Sequence, residues 1–255
     1  MMDDNLLIGV NPIIEKLKTS PEEISLILLA RGKLRPILKS IESDAQTLKI
    51  RINYLEAKEL DHLAQGGSHQ GILARVRAYS YASFSQLEGI VASEPRPERI
   101  LILDGIMDPR NFGAILRTAE AVGVRHIIIP KDRSVGITPA VYKASAGAIS
   151  HLRIYRVTNL RRAISSLKTK GFWIVGLDAD AKQDYDSKQY PKQLGIVLGS
   201  EGRGIRPLIS KECDYLVRIP MKGKISSLNV SVAGGVLLYE VLRQHNGIDK
   251  DPPDQ

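Results

Sequence analysis

The chain has 255 residues, enough for one large domain or two unequal ones with a substantial core. With 43% hydrophobic and 25% charged side chains it has the composition of a folded globular protein, not of a disordered one. A net charge of +8 favours a polyanionic partner, and the single cysteine, Cys213, excludes an internal disulfide and any Cys-based zinc site.

The N-terminal Met-Met-Asp-Asp-Asn lacks the basic region of a signal peptide, and no apolar run approaches ~18 residues. A cytoplasmic protein with no membrane partner is expected. Residues 1–79 hold short apolar runs at Ser25–Ala30, Thr47–Tyr54 and Gly71–Tyr79, separated by helical or polar stretches, which predicts a small α/β unit. A short helix ending at Ala92 and the Glu94-Pro-Arg-Pro-Glu98 stretch then read as a linker over 80–98.

Beyond it, over 99–246, strands and helices alternate. Strands are predicted at Ile100–Asp104, His126–Pro130, Trp173–Leu177, Ile196–Gly199 and Tyr215–Ile219. Helices are predicted at Asn111–Val122, Pro139–Ile149, Leu160–Lys170 and Val230–Gln244. Continuous apolar strands interspersed with helices predict an α/β fold with a parallel sheet covered on both faces. The polar tail 247–255, with its prolines, is expected to be disordered.

The charge is unevenly spread. Residues 1–80 carry eleven basic and ten acidic side chains, and the remainder twenty-five and eighteen. Arg110, Arg117, Arg133, Arg203, Arg206, Lys222 and Lys224 lie in or beside loops that carry other polar residues, a pattern suited to phosphate contacts.

Three segments follow strands, where an open parallel sheet gathers its ligands. In the first, Asp108 and Pro109 make an approach turn and Asn111 can cap a helix. Arg117 stands six residues on, among small apolar residues. A buried arginine there needs an anion, either a structural carboxylate or a substrate phosphate. In the second, Leu198-Gly-Ser-Glu-Gly-Arg-Gly204 lets a ligand approach the backbone and carries the Glu201 carboxylate. It matches neither the dinucleotide fingerprint nor a P-loop, and alone it reads as a tight turn. In the third, Ser226, Ser227 and Asn229 precede a long apolar helix and exceed what one cap requires, which leaves polar groups for a ligand. No Ser-His-Asp set and no Cys/His metal set is visible.

Asp108-Pro-x-Asn-x-Gly-x-x-x-Arg-Thr-Ala119, Gly199-Ser-Glu-Gly-x-Gly204 and Ile219-Pro-Met-x-Gly-x-x-x-Ser-Leu-Asn-Val-Ser-Val-Ala233 resemble, in order and spacing, the three motifs of the SpoU (TrmH-like) RNA ribose 2′-O-methyltransferases. Pro130-Lys-Asp-Arg-Ser134 and His69-Gln-Gly-Ile72 resemble the branch that methylates a guanosine of 23S rRNA. The resemblance implies a SPOUT-type catalytic domain with a deep trefoil knot, an L30e-like RNA-binding N-terminal domain and a homodimer with part of the site at the interface. It also implies S-adenosylmethionine as cofactor, held around Gly199, Ile219 and Leu228, with no metal. Asn111, Arg117, Glu201, Ser227 and Asn229 match the family's reaction centre, and Arg117 matches the arginine that assists deprotonation of the ribose hydroxyl. Because a guanidinium pKa lies above 12, Arg117 is expected to stay charged, stabilising a developing alkoxide and binding the adjacent phosphate. Arg110 stands where many relatives have histidine, and Ser150 where they often have glutamate. The alternatives are methylation of another rRNA or tRNA site, or a noncatalytic RNA-binding assembly factor on the same scaffold.

Overall fold

A computed structural model describes residues 6–93, 99–225 and 227–248, with side chains to residue 245. The linker prolines within 94–98, Ser226, the first five residues and the tail from 249 lie outside the described residues. The chain opens with β1 (Leu6–Ile8), α1 (Val10–Thr19), β2 (Ile24–Ala30), α2 (Pro36–Thr47), β3 (Ile52–Leu55), α3 (Ala57–Ala64) and β4 (Ile72–Val76). Next come α4 (Phe84–Ala92), β5 (Arg99–Asp104), α5 (Pro109–Ala121) and β6 (His126–Pro130). After α6 (Pro139–Ala144) and a 3-10 turn at Ala148–His151 lie β7 (Arg153–Val157), α7 (Leu160–Thr169), β8 (Trp173–Leu177) and β9 (Gln183–Asp184). Then β10 (Leu194–Gly199), α8 (Pro207–Ser210), β11 (Tyr215–Arg218) and α9 (Val230–Ile248) follow.

These elements form two compact units, and the division is not a single cut. Residues up to Ser80 group with Gly136–His151, and Tyr81–Val135 groups with everything from Leu152. The sequence placed 136–151 inside the continuous 99–246 domain; packing assigns it to the first unit. There α6 lies against β1, and the 3-10 turn lies against α1, with Val141, Tyr142 and Ile149 buried. The helix expected over Pro139–Ile149 is broken because Ala146 and Gly147 turn left-handed, with φ of 51° and 95°. Gly147 is also required sterically, since a Cβ there would stand 2.5 Å from Cγ of Glu15. The first unit's sheet runs β1-β4-β2-β3, antiparallel except for the β2–β3 pair.

The second unit carries a seven-stranded sheet ordered β7-β6-β5-β10-β8-β11-β9, with every recorded pairing parallel. Its central strands are apolar throughout because both faces are covered, as expected from the sequence. Ile100, Ile102, Ile128 and Val197 face α4 and α7, where Leu87, Val91, Ile164 and Leu167 complete one core. On the other side α5 and α9 pack together, and Leu198 meets Gly234 of α9. The chain winds outward from β5 through β6 to β7 and returns to place β10 on the other side of β5. That reversal opens a crevice at the strands' carboxyl ends.

Candidate active site

Register brings the first two polar segments together. Gly199, the last residue of β10, pairs with Asp104, the last of β5, so the loops leaving both strands start side by side. Asp108 caps α5, its carboxylate accepting from the Arg110 amide at 2.6 Å, and Pro109 occupies the first turn where no amide is needed. This entry holds Asn111 at the helix start, buried at 8% exposure. The loop 200–204 is closed by a two-bond bridge, Ser200 N to Gly204 O at 3.0 Å and Gly204 N to Ser200 O at 2.9 Å, with Glu201 at its tip. Asn229 precedes α9, and its Oδ1 accepts from the Ser231 amide at 2.9 Å, so it is the cap of that helix.

The three polar side chains form one network. Asn111 Nδ2 donates to Glu201 Oε2 at 2.8 Å. Asn229 Nδ2 donates to Asn111 Oδ1 at 2.9 Å and to Glu201 Oε1 at 3.2 Å. Each carboxylate oxygen accepts one bond here and keeps room for a second. Glu201 is thus oriented by two amides from two different helices and still has acceptor capacity for a ligand.

Two cavities meet at this network. One, of about 510 Å³, has apolar walls from Leu177, Leu198, Ile219, Met221 and Leu228, with Asp178 and Asp180 offering carboxylates. Gly199 and Ser227 also line it. The other, of about 500 Å³, is bordered by Ile106 and Met107, by Arg133, Arg203 and Arg206, and by the carboxylates of Asp104 and Asp108. Ser200, Glu201 and Val230 line both, so the Glu201 loop is the wall between an apolar–acidic chamber and one that carries arginines and carboxylates together. Both volumes lie within the range of small-ligand sites.

The structure brings Asn111, Glu201 and Asn229 into contact and places Gly199, Ile219, Ser227 and Leu228 around one cavity. Arg117 does not join them. The burial inferred from its apolar neighbours is corrected: Arg117 is exposed and lines neither cavity. Six residues at 3.6 per turn carry it about 240° round the helix from Asn111, away from the Glu201 wall. Among the described residues no hydrogen bond joins Ser227 to the network, although Asn229, two residues on, is part of it. The sequence reading missed Asp178 and Asp180, whose only signal is their place just past strand β8. It also missed the buried pairing of Asp104 with Arg206, where Asp104 accepts from the Arg206 amide at 2.8 Å and from its Nε at 2.7 Å.

Comparison with known proteins agrees with this geometry. The SpoU rRNA methylase family matches residues 98–239, and the family described as RNA 2′-O ribose methyltransferase substrate binding matches residues 6–82. A Bacillus subtilis (strain 168) protein, YacO, whose name places it in the TrmH family of tRNA/rRNA methyltransferases, is 42% identical over 95% of this chain and 96% of its own. A crystal structure of an RNA 2′-O ribose methyltransferase superposes with a TM-score of 0.78 at 26% identity, covering 94% of this chain and 88% of that one. The TrmH/SpoU tRNA-modifying enzyme of A. aeolicus, at 29% identity and a TM-score of 0.55, covers 65% of this chain and 83% of its own. The chain belongs to the SpoU/TrmH family and is an RNA methyltransferase.

Proposed function

We propose that the protein transfers a methyl group from S-adenosylmethionine to the 2′-hydroxyl of a guanosine in 23S rRNA. The observation that carries this reading is the Asn111–Glu201–Asn229 network standing as the shared wall of two chemically different cavities. The apolar–acidic chamber fits S-adenosylmethionine: Leu198, Ile219 and Leu228 suit a purine's faces, and Asp178 and Asp180 suit ribose hydroxyls or an ammonium. When bound, that cofactor supplies a methyl group on a sulfonium. Similar folds support the assignment, including the SpoU methyltransferase AviRb of Streptomyces viridochromogenes, solved with AdoMet.

The chain's own residues then have three tasks. Ser200, Glu201 and Val230 separate cofactor and substrate and fix their approach. Asn111 and Asn229 hold the Glu201 carboxylate so that its spare lone pairs accept the hydrogen bond of the attacking 2′-hydroxyl. Arg117 stabilises the developing oxyanion and the neighbouring phosphate as a permanent cation. Since Arg117 lies outside its own chain's cavities, that role requires a second copy of the chain. The homodimer face is supported by α5 and α9, packed together and exposing Arg117, Val232 and Tyr239. The rRNA preference is supported by the first unit, since the tRNA-modifying relative aligns with only 65% of this chain.

The test is to incubate purified protein with labelled methyl donor and undermodified rRNA and to map the ribose methylation. Methylation elsewhere, or on tRNA, would replace the guanosine assignment. Cofactor binding without transfer to any RNA would favour the noncatalytic reading. Mixing inactive Arg117→Ala with inactive Asn229→Ala protein tests the shared site. Activity recovered in the mixture supports it, and none recovered in a proven heterodimer refutes it.

A further inference from the structure

The arginine-bearing cavity does not end at the Glu201 wall. Arg133 and Arg206 line it, and both also line a third cavity of about 740 Å³, which continues past Asn159 and Arg161 to Leu208. A continuous path therefore leads from the Glu201 wall, over Arg133, to the surface beside α8. Its floor is rigid. Arg206 is fixed by the fully buried carboxylate of Asp104. The turn after β6 is tied to the neighbouring strand by Lys131 N to Val157 O at 2.7 Å and by Arg156 Nη2 to Lys131 O at 2.9 Å.

Within that floor Arg133 and Arg203 differ from the other arginines, and of these two only Arg133 borders both cavities. Arg206 is paired with Asp104, and Arg161 is paired with Glu212 at 2.6 Å. Among the described residues no ion pair or hydrogen bond engages the Arg133 guanidinium. Its backbone sits at φ 58°, a left-handed conformation that a long side chain rarely adopts. Two large apolar side chains stand out into solvent at the path's two ends, Met107 at 62% and Leu208 at 64% exposure. Between them lie Arg133, Arg203, Arg206 and Arg161, with Asp108 and Asp132 at the edges. Cations flanked by apolar platforms can hold single-stranded nucleic acid, with phosphates on the cations and bases on the platforms.

We propose that the RNA strand carrying the target nucleotide runs along this trough, with Arg133 gripping a phosphate next to the target ribose. Met107 packs the target base and Leu208 a flanking base. The inference rests on the Glu201 wall being the reaction centre. It adds the direction in which the strand leaves and the residue that holds it.

The experiment measures RNA affinity against salt for the full-length protein, using a labelled hairpin from 23S rRNA and an unrelated single-stranded RNA. Arg133→Asn is the probe, because asparagine tolerates the left-handed backbone. Arg125→Gln, exposed just before the opposite end of β6, is the equal-charge control. For Arg133→Asn the slope of log affinity against log salt should fall by about 0.7, the value of one single-strand phosphate contact. The RNA KM should rise about tenfold with kcat little changed and S-adenosylmethionine affinity intact. Leu208→Glu, at an exposed site, should weaken both RNAs as well. An unchanged slope for Arg133→Asn, or an equal loss for Arg125→Gln, overturns the trough. Binding does not require transfer, so the slope can change in an RNA that is never methylated. In that case the trough stands and the guanosine reading fails.

Discussion

Gly199→Ala isolates the feature on which the site's geometry depends, the contact between the end of β10 and the loop that returns over it. A Cβ at Gly199 would lie 2.1 Å from Gly204 C, 2.2 Å from Ile205 N and 2.3 Å from Gly204 O. All three are backbone atoms, so no side-chain rotation relieves the overlap. Moving them to ordinary contact requires opening the Ser200–Gly204 bridge, whose two bonds contribute about 0.5–1.5 kcal/mol each. Residual crowding adds about 1–3 kcal/mol. A loss of roughly 2–6 kcal/mol is expected, against a usual total stability of about 5–15 kcal/mol. At this size it lowers Tm by roughly 4–24 °C. The altered loop carries Glu201, so S-adenosylmethionine affinity and methyl transfer should fall together. Gly234→Ala is the matched control. Its Cβ meets only the tip of Leu198 at 2.6 Å, with every other neighbour 3.7 Å away. Alanine also favours the helix by about 0.5–1 kcal/mol, so the net change should be within about 1 kcal/mol of zero. Calorimetry and cofactor titration on the two variants decide the matter. A Gly199→Ala protein as stable and as cofactor-competent as Gly234→Ala would show that the β10 loop does not close as described.

Burial, with Arg153 and Arg125 nearby, depresses His126 to about 4, and its Nδ1 lies 2.9 Å from the Tyr155 hydroxyl. Between about pH 6.5 and pH 4 the unfolded chain binds a proton that the native chain does not, so stability is full above 6.5 and falls as pH drops through this window. His126→Asn should flatten the denaturation-versus-pH curve there, by on the order of 1–2 kcal/mol after allowing for solvent screening. Burial pushes the Cys213 thiol up to about 12, so it should resist alkylation at pH 8 in the native state and react only on unfolding. Rapid native labelling would contradict that burial. Ile149 is 1% exposed, and Ile149→Ala should cost about 2–5 kcal/mol. Hydrogen exchange should show the loss in residues 6–80, not in the seven-stranded sheet, although Ile149 falls between β6 and β7 in sequence.

The parallel sheet was legible because its strands are buried on both faces and so read as unbroken apolar runs, Ile100–Leu103 and Ile127–Ile129 among them. Strands β1 and β9 carry no such signal: they span three and two residues, too short to show a period. Helix α4 was expected as a short helix ending at Ala92, and the structure starts it with a capping box: the Gln86 amide donates to Ser83 Oγ and the Ser83 amide donates to Gln86 Oε1. The allegiance of 136–151 was not legible. Val141, Tyr142 and Ile149 are apolar in either unit, and only the position of α1 and β1 determines which core receives them. Asp104 was hidden for a related reason. Its carboxylate gains its meaning from Arg206, a hundred residues on, which arrives through the β5–β10 register.

Arg117 shows how a correct motif can give a wrong local environment. Its apolar neighbours predicted burial, and they are indeed buried: Phe112, Ile115, Leu116 and Ala119 lie on one side of α5. Position 117 falls on the other side, as 3.6 residues per turn dictates, and the guanidinium meets no anion of its own chain among the described residues. Of the alternatives open at the sequence level, the structural carboxylate is not found among the described residues. If that cation serves chemistry, it does so from outside its own chain's cavities, on the face that α5 shares with α9. The Asn111–Glu201–Asn229 wall, by contrast, is assembled entirely within one chain. If the proposed second copy supplies Arg117, an Arg117 variant and an Asn229 variant, each inactive alone, should complement each other when mixed, and no recovery in a proven heterodimer would refute that arrangement.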